Sequence, residues 1–290
     1  MSLETLSDEK QQLIGSLVKD LRLVDNVQAI VLGGSVAEGT ATPLSDIDLG
    51  IYYSPKKPFD IKSIAAVFQK YEKSKTLFTD FYGWGPWANG GAWALTSQGQ
   101  VDVIYRNIEQ VEDIIQKAHE GIWENDFEQQ PPYGFSSLIY LAETSICIPL
   151  YDPEAQIAKL KAKVEIYPLK LKNNVVQQSL WNSEFTIWQA KRFLKTNDIY
   201  NIAGCLTRSL KSLTTALLAL NEVYSIGDKR IIERITSAKL RPENFAERVE
   251  DILSTKKESL PLNIDKLVSL QKDVVKLAGD LYQPYFQLKD

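Results

Sequence analysis

Asp46 and Asp48 stand two residues apart in a Ser-Asp-Ile-Asp-Leu run, twelve and fourteen residues after Gly34. In an extended strand, residues two apart point to the same face, so both carboxylates would aim the same way. Two like charges held side by side raise each other's pKa unless a cation neutralises them. Carboxylate oxygens suit Mg²⁺ that is shared with substrate phosphates. The spacing therefore predicts a divalent-metal site.

A Gly33-Gly34-Ser35 turn precedes the two aspartates and follows a β-branched apolar run. Glycine lets the backbone approach a phosphate closely, and N–H groups at the start of a helix attract anions. We expect strands at about Gln28–Leu32 and Asp46–Tyr53, with the glycine turn between them. The segment thus predicts a phosphate-sized turn beside the metal site.

The elements that position this segment follow from helix and strand signals. Ser7 is a plausible start for a first helix that ends near Val24, and Asp60 can cap a helix that runs to about Tyr71. Two alternating runs at 92–97 and 101–106, with a short turn between them, predict a hairpin. Helices are expected at 108–118 and 136–146.

Beyond Pro168 the strand signals disappear, and apolar residues recur at helical spacing. Helices are expected at 180–195, 199–220, 229–238, 242–253 and 264–282. Leucines from Leu206 to Leu220 repeat every three or four residues, which is typical of a helix buried in a bundle. The predicted fold is an α/β (α+β) domain with a mixed sheet over 1–165 and an all-α helical bundle over 166–290.

The bulk composition bounds the class of protein. The chain has 290 residues, 44% hydrophobic and 24% charged, as expected for a globular protein of two domains. Cys147 and Cys205 lack ligand-like spacing and His119 is the only histidine, so neither a disulfide nor a zinc site is expected. No apolar run approaches the length of a membrane span, and we expect a cytoplasmic protein.

The net charge of −4 is unevenly distributed. Residues 1–150 contain 11 Lys and Arg against 20 Asp and Glu, a net charge of −9, whereas 151–290 contain 22 against 17, a net charge of +5. An acidic half suits metal and a basic half suits phosphate, although ordinary surface variation is an equal reading. A pI of about 5.3 without a basic stripe disfavours binding to nucleic acid and template-directed polymerisation.

The ordered pattern of strand, Gly-Gly-Ser turn and Asp-x-Asp strand resembles the signature of the polymerase-beta-type nucleotidyltransferase superfamily. The resemblance is to the branch that includes aminoglycoside and lincosamide nucleotidyltransferases. It implies Mg²⁺-dependent attack by a hydroxyl on the α-phosphorus of a nucleoside triphosphate, with pyrophosphate leaving. Two Mg²⁺ ions would be held by Asp46, Asp48 and a third carboxylate from a neighbouring strand.

Asp102 fits that third carboxylate. In a strand, Val101, Val103 and Tyr105 would face one side while Asp102 faces the other. A carboxylate flanked by valines needs a partner, a metal ion or contact with solvent. The alternative to a metal-binding role for Asp102 is therefore a position that faces solvent. For Asp46 and Asp48 the alternative is a turn-forming pair after Pro43.

The resemblance also implies residues that bind the triphosphate. Gly33, Gly34, Ser35 and Ser45 would hold phosphate oxygens, and a helical domain would add cations across a cleft. Arg208 and Lys211 share a helix face and are the first candidates. The others are Lys191, Arg192, Lys229 and Arg230, and for all six the alternative is a solvated helix face. Arg106, on the face of Asp102, would touch phosphate or pair with a carboxylate.

Two further roles remain open in the sequence. A loop with Trp84, Trp87 and Trp93 precedes Asp102 and would form a wall for the acceptor or the nucleobase, or else fill the core. Glu143 is the first candidate for a catalytic general base and Glu184 the second, and either would otherwise be a paired structural acid.

The leading function is transfer of a nucleoside monophosphate to a hydroxyl of a small-molecule acceptor. AMP is the first candidate for the transferred group. Only the resemblance to aminoglycoside and lincosamide nucleotidyltransferases suggests antibiotic-like acceptors. Protein adenylylation of the antitoxin type is a second reading. A nucleotide-binding sensor without catalysis is a third, disfavoured because all three carboxylates are present. The sequence predicts neither the acceptor nor the oligomeric state.

Overall fold

The computed structural model describes residues 6–285, and the chain divides into two compact units. The first unit contains the chain through Gln116 together with Ser137–Ile166. The second contains Lys117–Ser136 and the chain from Tyr167 onwards. By its contacts, Lys117–Ser136 thus belongs to the second unit, although its sequence position is inside the first. The predicted functional boundary between 1–165 and 166–290 stays a prediction.

The first unit opens with a helix, α1 (Asp8–Leu21), that starts where the sequence predicts. Ser7 is its N-cap, and the Ser7 hydroxyl accepts a hydrogen bond from the Lys10 N–H. The helix ends three residues earlier than expected. Leu13 and Leu17 lie on its buried stripe, so α1 contributes one side of the core.

Two strands then enclose the glycine turn. A fully buried strand, β1 (Ala29–Leu32), leads into a short helix, α2 (Gly34–Glu38), and β2 (Ile47–Tyr53) follows. Strand β2 starts one residue later than predicted, because a turn that joins the Ser45 N–H to the Thr42 carbonyl at 3.0 Å occupies the chain before it. Asp46 therefore lies outside β2 and is exposed, so the expected strand over Asp46–Tyr53 is corrected.

A helix and a hairpin complete this part of the chain. Asp60 caps α3 (Ile61–Phe68) as predicted, with its carboxylate accepting from the N–H groups of Lys62 and Ser63. A one-turn helix, α4 (Gly85–Ala88), precedes β3 (Gly91–Thr96) and β4 (Gly99–Asn107). The two strands pair antiparallel, which confirms the predicted hairpin.

The chain continues through short elements. The helix α5 (Ile108–His119) is followed by two antiparallel strands of two residues each, β5 (Asn125–Asp126) and β6 (Phe135–Ser136). Then come α6 (Leu138–Ile146), β7 (Ile148–Tyr151) and α7 (Gln156–Val164). Neither β7 nor α7 is predicted from the sequence.

The main sheet of the first unit has the strand order β3-β4-β2-β1-β7. Strands β2 and β4 run parallel, and the other neighbours are antiparallel, so the predicted mixed sheet is confirmed. One face of the sheet is apolar and packs in a core with α1 and α3. The opposite face carries Asp48 and Asp102.

The second unit is helical beyond Pro168, as predicted. Its described residues from Leu169 to Tyr285 contain five α-helices: α8 (Leu169–Leu194), α9 (Ile199–Leu220), α10 (Ile231–Thr236), α11 (Phe245–Leu253) and α12 (Leu260–Ala278). The bounds of α9 match the prediction, and its leucine stripe is buried. Helix α8 starts eleven residues earlier than predicted. No helix within residues 6–285 is long and apolar enough to cross a membrane.

Candidate active site

Four residues form a row across one face of the sheet. Trp93 of β3 pairs in register with Asp102 of β4, and Asp102 pairs with Asp48 of β2. The Asp48 carbonyl in turn accepts a hydrogen bond of 2.8 Å from the Gly33 N–H. Neighbouring strands lie about 4.8 Å apart, so the row spans about 14 Å. We call Trp93, Asp102, Asp48 and Gly33 the carboxylate row.

The face on which Asp102 lies follows from strand alternation. Val101, Val103 and Tyr105 are fully buried in the core, whereas Asp102 is only partly buried. Asp102 therefore points away from the core, together with its register partner Asp48. One oxygen of Asp102 accepts a hydrogen bond of 2.7 Å from the Gln100 amide. The structure thus brings together two of the three predicted carboxylates.

Gly34 is required by the position of Asp48. Its φ is +56°, and a Cβ atom placed on it would lie 1.8 Å from Asp48 Oδ2. The Asp48 carboxylate therefore occupies the space that any side chain at residue 34 would need. The same contact places this carboxylate directly against the glycine turn, beside Ser35 at the start of α2.

The turn before Asp46 is held by contacts that the sequence does not reveal. The Ser45 hydroxyl accepts the Thr42 N–H at 2.9 Å, which gives Ser45 a structural role in addition to its predicted nucleotide contact. The Lys10 ammonium donates to the carbonyls of Ser45 at 2.7 Å and Pro43 at 3.1 Å. Lys10 is thus a positioning residue that sequence reasoning misses, because nothing local links α1 to this turn.

The predicted group of three carboxylates is not formed as a closed cluster. Within the part of the chain that the structure describes, no group of three or more His, Cys, Asp or Glu side chains has an arrangement that could hold a metal ion. Asp46 precedes the first paired residue of β2 and is exposed. The assignment of Asp46, Asp48 and Asp102 as metal ligands stays a prediction, and its structural basis is the Asp48–Asp102 pair.

Glu143, the first candidate for a general base, is engaged by Arg106. The Arg106 guanidinium donates to both Glu143 oxygens, with Nη2 at 2.8 Å from each and Nε at 3.0 Å from Oε2. Arg106 is 5% exposed. Burial alone would lower the pKa of Arg106, but the Glu143 charge holds that pKa above its ordinary value. These contacts favour a structural role for Glu143 over that of a general base. They also show that Arg106 pairs with a carboxylate, which was one of its two expected roles.

Glu184, the second candidate base, belongs to the second unit. Its carboxylate accepts a hydrogen bond from the Tyr282 hydroxyl. Burial, followed by this hydrogen bond, raises the pKa of Tyr282 above its usual range. Both candidate bases thus have polar partners within their own unit.

The three tryptophans before Asp102 separate into two environments. Trp84 stacks on Trp93 with ring centroids 4.5 Å apart and planes 24° apart. Trp87 instead packs edge-on against Tyr140, whose hydroxyl donates to the Trp87 carbonyl. The loop is therefore not one continuous wall: Trp84 and Trp93 lie at the carboxylate row, and Trp87 lies against α6.

Arg208 and Lys211 share a cavity of about 230 Å³ in the second unit. The Arg208 guanidinium lies 5.2 Å from the centre of the Phe127 ring, and the Lys211 ammonium lies 5.8 Å from that of Tyr133. Lys211 also forms an ion pair of 2.8 Å with Asp228. Their shared face on α9 is as predicted, and their nucleotide-binding role stays a prediction. Of the alternatives, Arg192 stacks on Trp188, and Arg230 pairs with Glu233.

Comparisons with known proteins agree with the motif. Residues 13–84 match the model of the nucleotidyltransferase domain family, and this range includes the glycine turn, Asp46 and Asp48 but not Asp102. No curated protein matches the chain by sequence.

One similar solved structure is that of a nucleotidyltransferase-like protein from Exiguobacterium sibiricum 255-15. The two chains are 10% identical with a TM-score of 0.48, and the comparison covers 94% of this chain and 78% of that one. The family match is the finding that bears on activity: residues 13–84 carry a nucleotidyltransferase domain, and the chain is an enzyme of the nucleotidyltransferase class.

Proposed function

We propose that the enzyme transfers a nucleoside monophosphate from a nucleoside triphosphate to a hydroxyl of a small-molecule acceptor. AMP is the first candidate for the transferred group. The observation that carries this proposal is the register of Asp48 with Asp102, together with the contact of Asp48 with the glycine turn. Two carboxylates side by side can hold a metal ion and a backbone turn can bind phosphate, and metal-dependent phosphoryl transfer uses both.

The Asp48–Asp102 pair has the chemistry of a magnesium site that substrate completes. Mg²⁺ in such enzymes is held by one or two carboxylates, substrate phosphates and water, and seldom by a cage of protein ligands alone. Two partly buried carboxylates on one sheet face fit this pattern, and the exposed Asp46 precedes Asp48 by two residues. When bound, Mg²⁺ would lower the pKa of the attacking hydroxyl and stabilise charge on the leaving oxygens.

The residues of the chain then have separate tasks. Backbone N–H groups of Gly34 and Ser35 would bind the β- and γ-phosphates at one end of the carboxylate row. A bond forms between the acceptor hydroxyl oxygen and the α-phosphorus, and the bond from that phosphorus to the bridging oxygen breaks. Pyrophosphate leaves with the electron pair of that bond, and the hydroxyl proton passes to water.

The test is label transfer from α-labelled triphosphates with Mg²⁺ and a panel of aminoglycosides, lincosamides, sugars and proteins. We expect acceptor-dependent pyrophosphate release, which chelation of Mg²⁺ with EDTA abolishes. Asp48→Asn and Asp102→Asn should each reduce turnover by about 100-fold or more, since they weaken charge stabilisation in the transition state. Asp25→Asn, at an exposed loop position, is the matched control and should leave turnover unchanged.

The same experiment separates the competing functions. Label that appears only on proteins would replace the small-molecule acceptor by a protein acceptor. Binding of triphosphate without pyrophosphate release from any acceptor would contradict catalysis and favour a sensor. Full activity of Asp48→Asn would refute the role of the carboxylate pair.

A further inference from the structure

The outer end of the carboxylate row is an exposed aromatic surface. Trp93 is 61% exposed although it lies in the middle of β3, between two buried alanines. Tryptophan is a large residue that is mostly buried in folded proteins, so an indole left open beside two carboxylates points to a ligand. Trp84 supports this indole by stacking on it, with ring centroids 4.5 Å apart. We call Trp84 and Trp93 the tryptophan pair.

The tryptophan pair is held in place by the backbone beneath it. Trp84 covers Gly91, where an added Cβ atom would lie 2.9 Å from Trp84 Cζ3. The loop after Trp84 is anchored by Asn89, which is fully buried. The Asn89 side chain accepts the Asn107 N–H at 2.9 Å and donates to the Pro86 carbonyl and the Gln110 side chain at 3.2 Å and 3.0 Å. The pair is thus preorganised, which lowers the entropy cost of binding a ligand.

The position of the tryptophan pair in the carboxylate row indicates which substrate the pair contacts. Gly33 and Trp93 lie at opposite ends of the carboxylate row, with Asp48 and Asp102 between them. Phosphoryl transfer places the attacking oxygen and the leaving oxygen roughly in line on opposite sides of the phosphorus. If the leaving phosphates bind at the glycine turn, the attacking hydroxyl must approach from the end of the row that Trp93 occupies.

We infer that Trp93, supported by Trp84, binds a ring of the acceptor and so presents the acceptor hydroxyl to the carboxylate pair. This inference rests on the proposed function and extends it to the chemistry of the acceptor. The acceptor carries a ring with an apolar face, which stacks on the Trp93 indole, and a hydroxyl at the edge of that ring. Both a sugar, through its C–H face, and a phenol, through its π face, have this chemistry.

The test compares Trp93→Ala with Trp93→Phe and with the control Leu95→Ala. Leu95 is two positions further along β3, on the same sheet face, and is 49% exposed. We expect Trp93→Ala to raise the KM for the acceptor about tenfold, the size of one aromatic stack of about 1.4 kcal/mol. The KM for triphosphate should stay within about twofold. Trp93→Phe should recover most of the affinity for acceptor, and Leu95→Ala should lose little.

Direct binding gives a readout that does not depend on turnover. Calorimetric titration with a methyl hexopyranoside, a methyl aminohexopyranoside and a phenol measures ring binding by the wild-type protein and by Trp93→Ala. Binding of one of these probes that Trp93→Ala loses supports the inference and identifies which ring the pair accepts. Equal binding by both proteins, or no binding of any probe, overturns it.

The outcomes of turnover and binding are distinguishable. A Trp93→Ala variant that raises the KM for triphosphate instead of acceptor overturns the inference and makes the pair a nucleobase site. Unchanged kinetics for both substrates also overturn it. If the wild-type protein transfers no label to any acceptor, the proposed function fails, and the binding titration alone then decides whether the tryptophan pair recognises a ring.

Discussion

At the scale of single residues, Gly34 joins the glycine turn to the carboxylate pair. Its positive φ and the 1.8 Å approach of Asp48 Oδ2 to an added Cβ disfavour any side chain there. An alanine would cost about 1–2 kcal/mol in backbone strain and would displace the Asp48 carboxylate. We expect Gly34→Ala to reduce turnover about 100-fold, as a displacement of about 1 Å at a reacting centre can do. Steady-state kinetics beside thermal unfolding measure both effects.

The matched control for this prediction is Gly15→Ala. Gly15 lies within α1, is exposed, and would meet nothing within 4 Å of an added Cβ. Alanine at this position should stabilise the protein by up to about 1 kcal/mol and leave turnover unchanged. Wild-type turnover of Gly34→Ala would contradict the contact between residue 34 and Asp48.

Glu143 offers a second test at this scale, because the sequence leaves two roles open for it and its contact with Arg106 favours the structural one. Glu143→Gln would leave the buried Arg106 guanidinium without its negative partner. We expect a loss of about 2–3 kcal/mol in the free energy of unfolding, less than for a fully buried pair because Glu143 is 28% exposed. Chemical denaturation measures this loss.

Turnover of the same variant separates the two roles. If Glu143 is structural, kcat of the folded Glu143→Gln protein should fall by less than about tenfold, whereas a general base contributes about 100-fold or more. Replacing both partners, as in Arg106→Met with Glu143→Met, should recover part of the lost stability. A large loss of kcat with unchanged stability would restore the predicted general base.

At the scale of elements, the loop from Trp84 to Gly90 depends on Asn89. Asn89→Ala would leave the Asn107 N–H buried without an acceptor, and it would place alanine at a φ of +60°. We expect a loss of about 2–3 kcal/mol in stability and a loss of near-ultraviolet circular dichroism from the Trp84–Trp93 stack. Asn26→Ala is the matched control, because Asn26 has a φ of +68° but, within residues 6–285, a single side-chain hydrogen bond, to the Pro58 carbonyl.

An effect of Asn26→Ala as large as that of Asn89→Ala would show that the strained φ alone, and not the anchoring contacts, determines the loss. A stable Asn89→Ala protein with an intact stacking signal would refute the anchoring role.

The same scale shows which elements a sequence can predict. The cap residues Ser7 and Asp60 and the hairpin were predictable, because their signals lie within a few neighbouring residues. Strand β7 was not, since its four residues include Pro149 and gain their strand conformation only by pairing with β1 at the sheet edge. The early start of α8 was missed because its first turns are rich in polar residues and include two asparagines.

At the scale of the whole molecule, the sequence predicted the mixed sheet followed by helices but not which segments pack together. Lys117–Ser136 lies between two elements of the first unit, yet its contacts are with the second. The spacing of apolar residues cannot predict that this segment packs with the second unit, because local spacing does not encode tertiary contacts. The same limit applies to the site: the Asp48–Asp102 pairing could be expected from alternation, whereas the Lys10 and Arg106 contacts join residues far apart in sequence.

The parallel pairing of β2 and β4 has a consequence for how such an enzyme can diversify. Parallel neighbours cannot be joined by a tight turn, so a long crossover separates Tyr53 from Gly99, and the tryptophan pair lies within it. Insertions or exchanges in the exposed stretch near Leu77 would alter that crossover while the hydrogen bonds between β2 and β4 keep the carboxylates in register. If the tryptophan pair binds the acceptor as inferred, replacement of one connecting segment would change acceptor recognition and leave the carboxylate pair unaltered.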